Sequence, residues 1–220
     1  MTAAGVDRAA SSRAAAWGRG PAGPGGLRLA ALHAASRRVL TCLLVLAACA
    51  VALRTALHWL PRSGFYSRQI PLTIETGAAA VIGVTTRSPF GEPERAAGHW
   101  LPFLRLGGSL ALAVAAAGAL AAGSAAAHLV GGTAGMVRDL AGFTGLALLT
   151  AGLAGSALAW IGPVAYLGIT MPALGGGWTT PWTWPARAPH DRGAAICAAL
   201  AFAIGLMLVT VRGARDSLRD

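Results

Sequence analysis

The stretch "PFLRLGGSLALAVAAAGALAAGSAAAHLV", residues 102–130, decides the reading of this chain, because after Arg105 it runs to its end without one Asp, Glu, Lys or Arg. A helix rises about 1.5 Å per residue, so about 20 such residues cross a hydrocarbon layer of about 30 Å. Working outward, "VLTCLLVLAACAVALRTALHWL" at 39–60 and "GAAICAALAFAIGLMLVTV" at 193–211 are of the same kind. "IPLTIETGAAAVIGVTT" at 70–86 is a shorter candidate with Pro71 at its first turn, and residues 140–160 give a Gly- and Ala-rich fourth helix. The segment "WIGPVAYLGITMPALGGG" either starts a fifth helix at Pro163, running to about Leu174, or continues the fourth with a kink. "SGFYSRQ" at 63–69 and "GGTAGMVRD" at 131–139 read as polar turns between runs.

Composition agrees: 55% of the 220 residues are hydrophobic and 12% charged, with a mean hydropathy of +0.59. The expected fold is an all-α integral membrane protein, a bundle of about six transmembrane helices, with four as the alternative. Residues 1–37, rich in Gly, Ala, Pro and scattered Arg, read as a disordered basic cytoplasmic tail, and residues 38–220 as the transmembrane domain with a short C-terminal tail. No segment is long and polar enough to build a separate soluble domain.

The net charge of +10 comes from 18 basic residues, all of them Arg, which with the Ala and Gly content suggests a GC-rich bacterial source. The arginines are spread over tails and loops, with no basic stripe interleaved with aromatics, so the charge reads as membrane orientation and nucleic acid is excluded as a partner. Basic residues favour the cytoplasmic side. Six helices put both tails and Arg87, Arg95 and Arg105 inside, and leave Arg62, Arg68, Arg138, Arg187 and Arg192 outside. Both termini are therefore expected in the cytoplasm, in a multi-pass protein of the inner (plasma) membrane. "LAAC" at 46–49 after Arg37 and Arg38 matches a lipobox, but Cys49 is followed by further apolar sequence and by further spans.

Catalytic signatures are missing from the sequence. With no Lys there is no phosphate loop of the G-x-x-x-x-G-K type, and H-E-x-x-H, C-x-x-C and G-x-S-x-G do not occur. No catalytic residue, metal site or cofactor is expected. Cys42, Cys49 and Cys197 sit in apolar runs and read as small core residues. His190 and Asp191 in "PHDR" read as solvated loop, and "WTTPWTWP" as an interfacial aromatic belt.

Three features carry more. Arg54 and Glu75 lie inside apolar runs at matching depths, and read as an intramembrane ion pair pinning the first two helices or as a polar feature of a substrate path. Gly118 and Ala122, with Gly145 and Gly152 on a neighbouring helix, read as close backbone contacts. The loop "RSPFGEPERAAGHW" at 87–100 predicts a short amphipathic cytoplasmic helix: Pro93 suits its first turn, Glu92 and Glu94 suit the positive end of the helix dipole, and Arg95 and His99 share a face. Ala96, Ala97, Trp100 and Leu101 would rest on the lipid interface.

With "SPFGEPER" at 88–95, "RDLAGFTGLALL" at 138–149 and "TPWTWP" at 180–185 in place, the chain resembles the membrane-spanning subunits of type 2 ABC transporters in their divergent actinobacterial form. The resemblance covers roughly residues 38–211. It implies a permease that forms a translocation path with a second membrane subunit and couples to a separate ATP-binding cassette subunit. Glu92, Glu94, Arg95, His99 and Trp100 would then form the coupling element. The short second helix, the Arg54 and Glu75 pair and the small size depart from that pattern. A non-transporting membrane anchor or regulatory membrane protein is the alternative function.

Overall fold

The computed structural model describes residues 39–59, 66–86, 101–125, 129, 131–176 and 180–212. Of these residues 89% are helical and none lies in a strand. Among the described residues six α-helices follow one another: α1 (Val39–Trp59), α2 (Tyr66–Thr85), α3 (Leu101–Ser124), α4 (Gly132–Ala154), α5 (Ile161–Gly176) and α6 (Arg192–Arg212). Single 3-10 turns at Ser156–Leu158 and Trp184–Ala186 flank α5. Among the described residues five helices are long and apolar enough to cross a membrane, α5 together with the 3-10 turn before it. The chain is an all-α, multi-pass membrane bundle. The sixth helix, α2, has the length at 20 residues, but Arg68, Gln69, Thr73, Glu75 and Thr76 make it the most polar of the set.

Two helices begin earlier than the sequence suggests, for one physical reason. The residues 131–139, expected as a turn, are largely the first turns of α4, and α2 starts at Tyr66, so that Pro71 lies inside the helix instead of at its first turn. In both cases the polar residues taken for a water-facing break have partners within the protein: Gln69 Nε2 donates to Met171 Sδ at 3.0 Å, and Arg68 and Arg138 donate to a distant loop. The fourth helix also ends early. Gly155, at φ 100°, takes a backbone conformation open to glycine, terminates α4 and lets Thr150 Oγ1 reach the Ala159 carbonyl at 2.8 Å. The fifth helix is therefore separate, and the break is made by Gly155, with Pro163 two residues into α5.

Helix α4 is the axis of the bundle. Two thirds (67%) of its apolar span is buried, against 17–28% for the other candidate spans. It packs on α2, α5 and α6, and more lightly on α3; α1 lies outermost, against α2 and α3. Gly83 meets Ala147, while Glu75 and Asp139 line one cavity. That constant register means α2 and α4 run in the same direction. Gly145 meets Ala201, and Gly152 meets Leu208, so α6 runs the same way as α4. The starts of α2, α4 and α6 consequently share one end of the bundle.

The expected close contact of Gly118 does not form. A Cβ at Gly118 would meet nothing within 4 Å, and Gly118 and Ala122 are exposed on α3, whereas the tight glycines of α4 pack on α6. Close approach in α3 occurs at Gly123, where a Cβ would stand 2.5 Å from the Ala50 carbonyl oxygen of α1. The outer face of α6 presents Ile196, Leu200, Ile204, Met207 and Val211, a helical stripe of exposed apolar side chains that suits lipid.

Candidate functional site

At the shared end of α2, α4 and α6, Arg68 and Glu75 lie seven residues apart on one face of α2, and Arg138 and Asp139 project from the second turn of α4. The loop from α5 to α6 supplies Arg187 and Asp191. Helical spacing puts Arg68, Leu72 and Glu75 in a line, opposite Gly135, Arg138 and Asp139. Gly131, Gly132 and Gly135 keep the start of α4 slim, so that the loop residue Pro189 lies within van der Waals reach of Gly135.

The guanidinium groups are committed to the loop. Arg138 donates through Nε to Asp139 Oδ1 at 2.9 Å and through Nη1 to the Ala188 carbonyl at 2.7 Å. Arg68 Nη2 donates to the Arg187 carbonyl at 2.9 Å. Arg187 turns back, donating from Nε to Asp191 Oδ2 at 2.8 Å, and the other carboxylate oxygen of Asp191 accepts from the Ala194 amide at 2.9 Å. Asp191 is thus the cap of α6, with its charge at the positive end of that helix.

The Ala194 amide first, and then the Arg187 guanidinium, hold the Asp191 carboxyl below the usual carboxylate range. Because the folded-state value is the lower one, the stability this cap provides is present above the ordinary aspartate range, about 3.9. It is lost as pH falls through the depressed folded-state value. Acidification through that range is expected to lower the protection of the first-turn amides of α6 relative to their intrinsic exchange rate, and Asp191→Asn should remove that part of the acid dependence. An acid dependence unchanged in Asp191→Asn would assign it to another group.

Glu75 is the exception in this network. It is 3% exposed, lines a cavity of about 20 Å³ with Arg68, Arg138 and Asp139, and its Oε2 has no hydrogen-bond partner. The cavity has room for one water molecule. Arg54, the partner expected from sequence, is exposed on α1 and makes no ion pair with Glu75 among the described residues. The charges that act on Glu75 are Asp139, Arg138 and Arg68. The expected coupling residues Glu92, Glu94, Arg95, His99 and Trp100 lie outside the described residues.

An aromatic block supports the loop from beneath. Trp184 is buried, stacks on Tyr166 with ring centroids 4.3 Å apart, and Tyr166 meets Phe143 edge-on at 6.0 Å. The Tyr166 hydroxyl donates to the Trp182 carbonyl. Of the expected interfacial tryptophans, Trp182 is exposed but Trp184 turns inward, because Gly142 leaves it space: a Cβ there would stand 2.6 Å from the indole ring. Sequence reasoning missed Arg68, Arg138, Asp139, Arg187 and Asp191 as a group. Its available signal was the spacing of Arg68 and Glu75, with an adjacent Arg–Asp pair within a glycine-spaced helix. No family model, curated protein or solved structure matches this chain.

Proposed function

We propose that the chain is the permease subunit of a transporter driven by a separate ATP-binding cassette subunit, working in the plasma membrane of an actinobacterium. The observation that carries this reading is Glu75, a buried carboxylate with a partnerless oxygen on a water-sized cavity within an apolar bundle. A charged group in that setting is costly, and such groups in membrane proteins border ion and substrate paths. The cavity beside it is too small for a solute, so the path belongs between this chain and a second membrane subunit. With both termini in the cytoplasm, the charge cluster faces the outer side and the loop at 87–100 faces the ATPase.

Arg95→Glu tests the coupling half of the proposal. Like charges placed across the contact weaken a docked complex. The variant is expected to insert normally yet to lose at least about tenfold in retention of the ATPase in mild detergent, equivalent to about 1.4 kcal/mol. If the unaltered chain retains no nucleotide-hydrolysing partner, or if Arg95→Glu retains it unchanged, the chain is a non-transporting membrane anchor instead.

A further inference from the structure

We propose that Glu75 is a proton-binding site, occupied at neutral pH, whose proton enters through the water-sized cavity between α2 and α4. Two acidic side chains among the described residues are buried, Glu75 and Asp139, and both line this cavity. They are not equivalent. Asp139 accepts from Arg138 Nε at 2.9 Å, whereas Glu75 Oε2 receives nothing.

The charged groups facing Glu75 are Arg68 on its own helix, Arg138 and Asp139 on α4, and Arg187 on the loop. The other helices packed against α2, namely α1, α3 and α5, bring no charged side chain among the described residues to the cavity. The guanidinium donors are directed elsewhere, Arg68 to the Arg187 carbonyl, Arg138 to Asp139 and the Ala188 carbonyl, and Arg187 to Asp191, and none donates to Glu75 Oε2. An ionised Glu75 would therefore be a buried charge with no side-chain donor on Oε2, facing the Asp139 charge as well as those of Arg68 and Arg138. A proton removes both penalties, because it neutralises the charge and turns an acceptor into a donor.

The ligand is therefore a proton, with one water molecule filling the cavity and taking the hydrogen bond of the new hydroxyl. In the binding step an O–H bond forms at Glu75, and the proton leaves a hydronium ion that becomes a water molecule. Resting on the transport reading, the consequence is that proton loss and uptake charge and discharge α2 where it meets α4. That makes α2 the element whose packing follows the proton.

The test is infrared spectroscopy of the purified full chain in lipid nanodiscs, read at the carbonyl stretch of protonated carboxyl groups, with exchange into heavy water to identify it. The band is expected at neutral pH in the unaltered chain, to vanish in Glu75→Gln and to persist in Asp139→Asn. Gln keeps the shape and neutrality of the protonated side chain, so this variant should fold. Should it fail to fold, persistence of the band in Asp139→Asn still assigns the proton to Glu75. Absence of the band from the unaltered chain, or its loss in Asp139→Asn with persistence in Glu75→Gln, overturns the proposal. The band does not depend on transport, so a chain that carries the proton yet retains no ATPase would refute the transport reading alone.

Discussion

Arg138→Leu is expected to open the end of the bundle where α2, α4 and α6 begin, with a loss of about 3–5 kcal/mol, the range for breaking a buried ion pair from one side. The substitution leaves Asp139 buried without its guanidinium, and it leaves the Ala188 carbonyl without its donor. Since Arg68 and Arg138 together hold the backbone at Arg187 and Ala188, the loop should detach and the cap of α6 should loosen with it. Trp184 reports the change, because it is buried just before that anchor and its fluorescence should shift toward that of an exposed indole. The double variant Arg138→Leu/Asp139→Asn should regain part of the loss by removing the stranded charge, but not all, because the loop carbonyl still lacks a donor. Arg54→Leu is the control: that side chain is exposed, and the expected change is within about 0.5 kcal/mol. Equal stability of Arg138→Leu and Arg54→Leu in equilibrium unfolding from mixed micelles would show that the cluster does not hold the loop.

The comparison between Arg54 and Arg138 also shows what the sequence makes legible. The strongly apolar runs and their order can be read from hydropathy, because lipid imposes length and apolarity on each span. Whether the segment at Pro163 is a separate fifth helix stays open there and is decided by the break at Gly155. Arg138 could not be placed by hydropathy. A charged residue beside glycines reads as a loop, and only the fold reveals that its donors find carbonyls 49 and 50 residues away in sequence. Pairing is tertiary information. Glu75 was visible as an intramembrane charge, but its neighbours were not: Arg54, matched to it in depth by sequence, is exposed on α1, while Arg68 is two turns away on its own helix. The inward turn of Trp184 was hidden for a related reason, because the space it fills is created by the missing side chain of Gly142 on another helix.

Glycine packing gives the second large effect. Gly145→Ala is expected to cost at least about 3 kcal/mol, the upper end of ordinary overpacking, and Gly145→Leu to leave no folded bundle. A Cβ on Gly145 would stand 2.4 Å from the Ala201 carbonyl carbon and from the Phe202 amide nitrogen of α6. Backbone atoms cannot rotate aside as a side chain can, so the clash is relieved only if α4 and α6 separate along their shared length. The partner surface is equally tight, since a Cβ on Gly205 would stand 2.3 Å from the Gly145 carbonyl oxygen. Close backbone approach is how helices in lipid gain packing energy, because the apolar solvent provides little drive of its own. Gly118→Leu should behave in the opposite way: its Cβ meets nothing within 4 Å, so the added side chain extends from an exposed face of α3 and stability should hardly change. Reading apolar runs as equivalent spans assigns both glycines to one kind of contact and predicts similar damage. The structure separates them by the atom each would strike, and similar tolerance of Gly145→Leu and Gly118→Leu in thermal unfolding would mean that α4 and α6 do not meet at this seam.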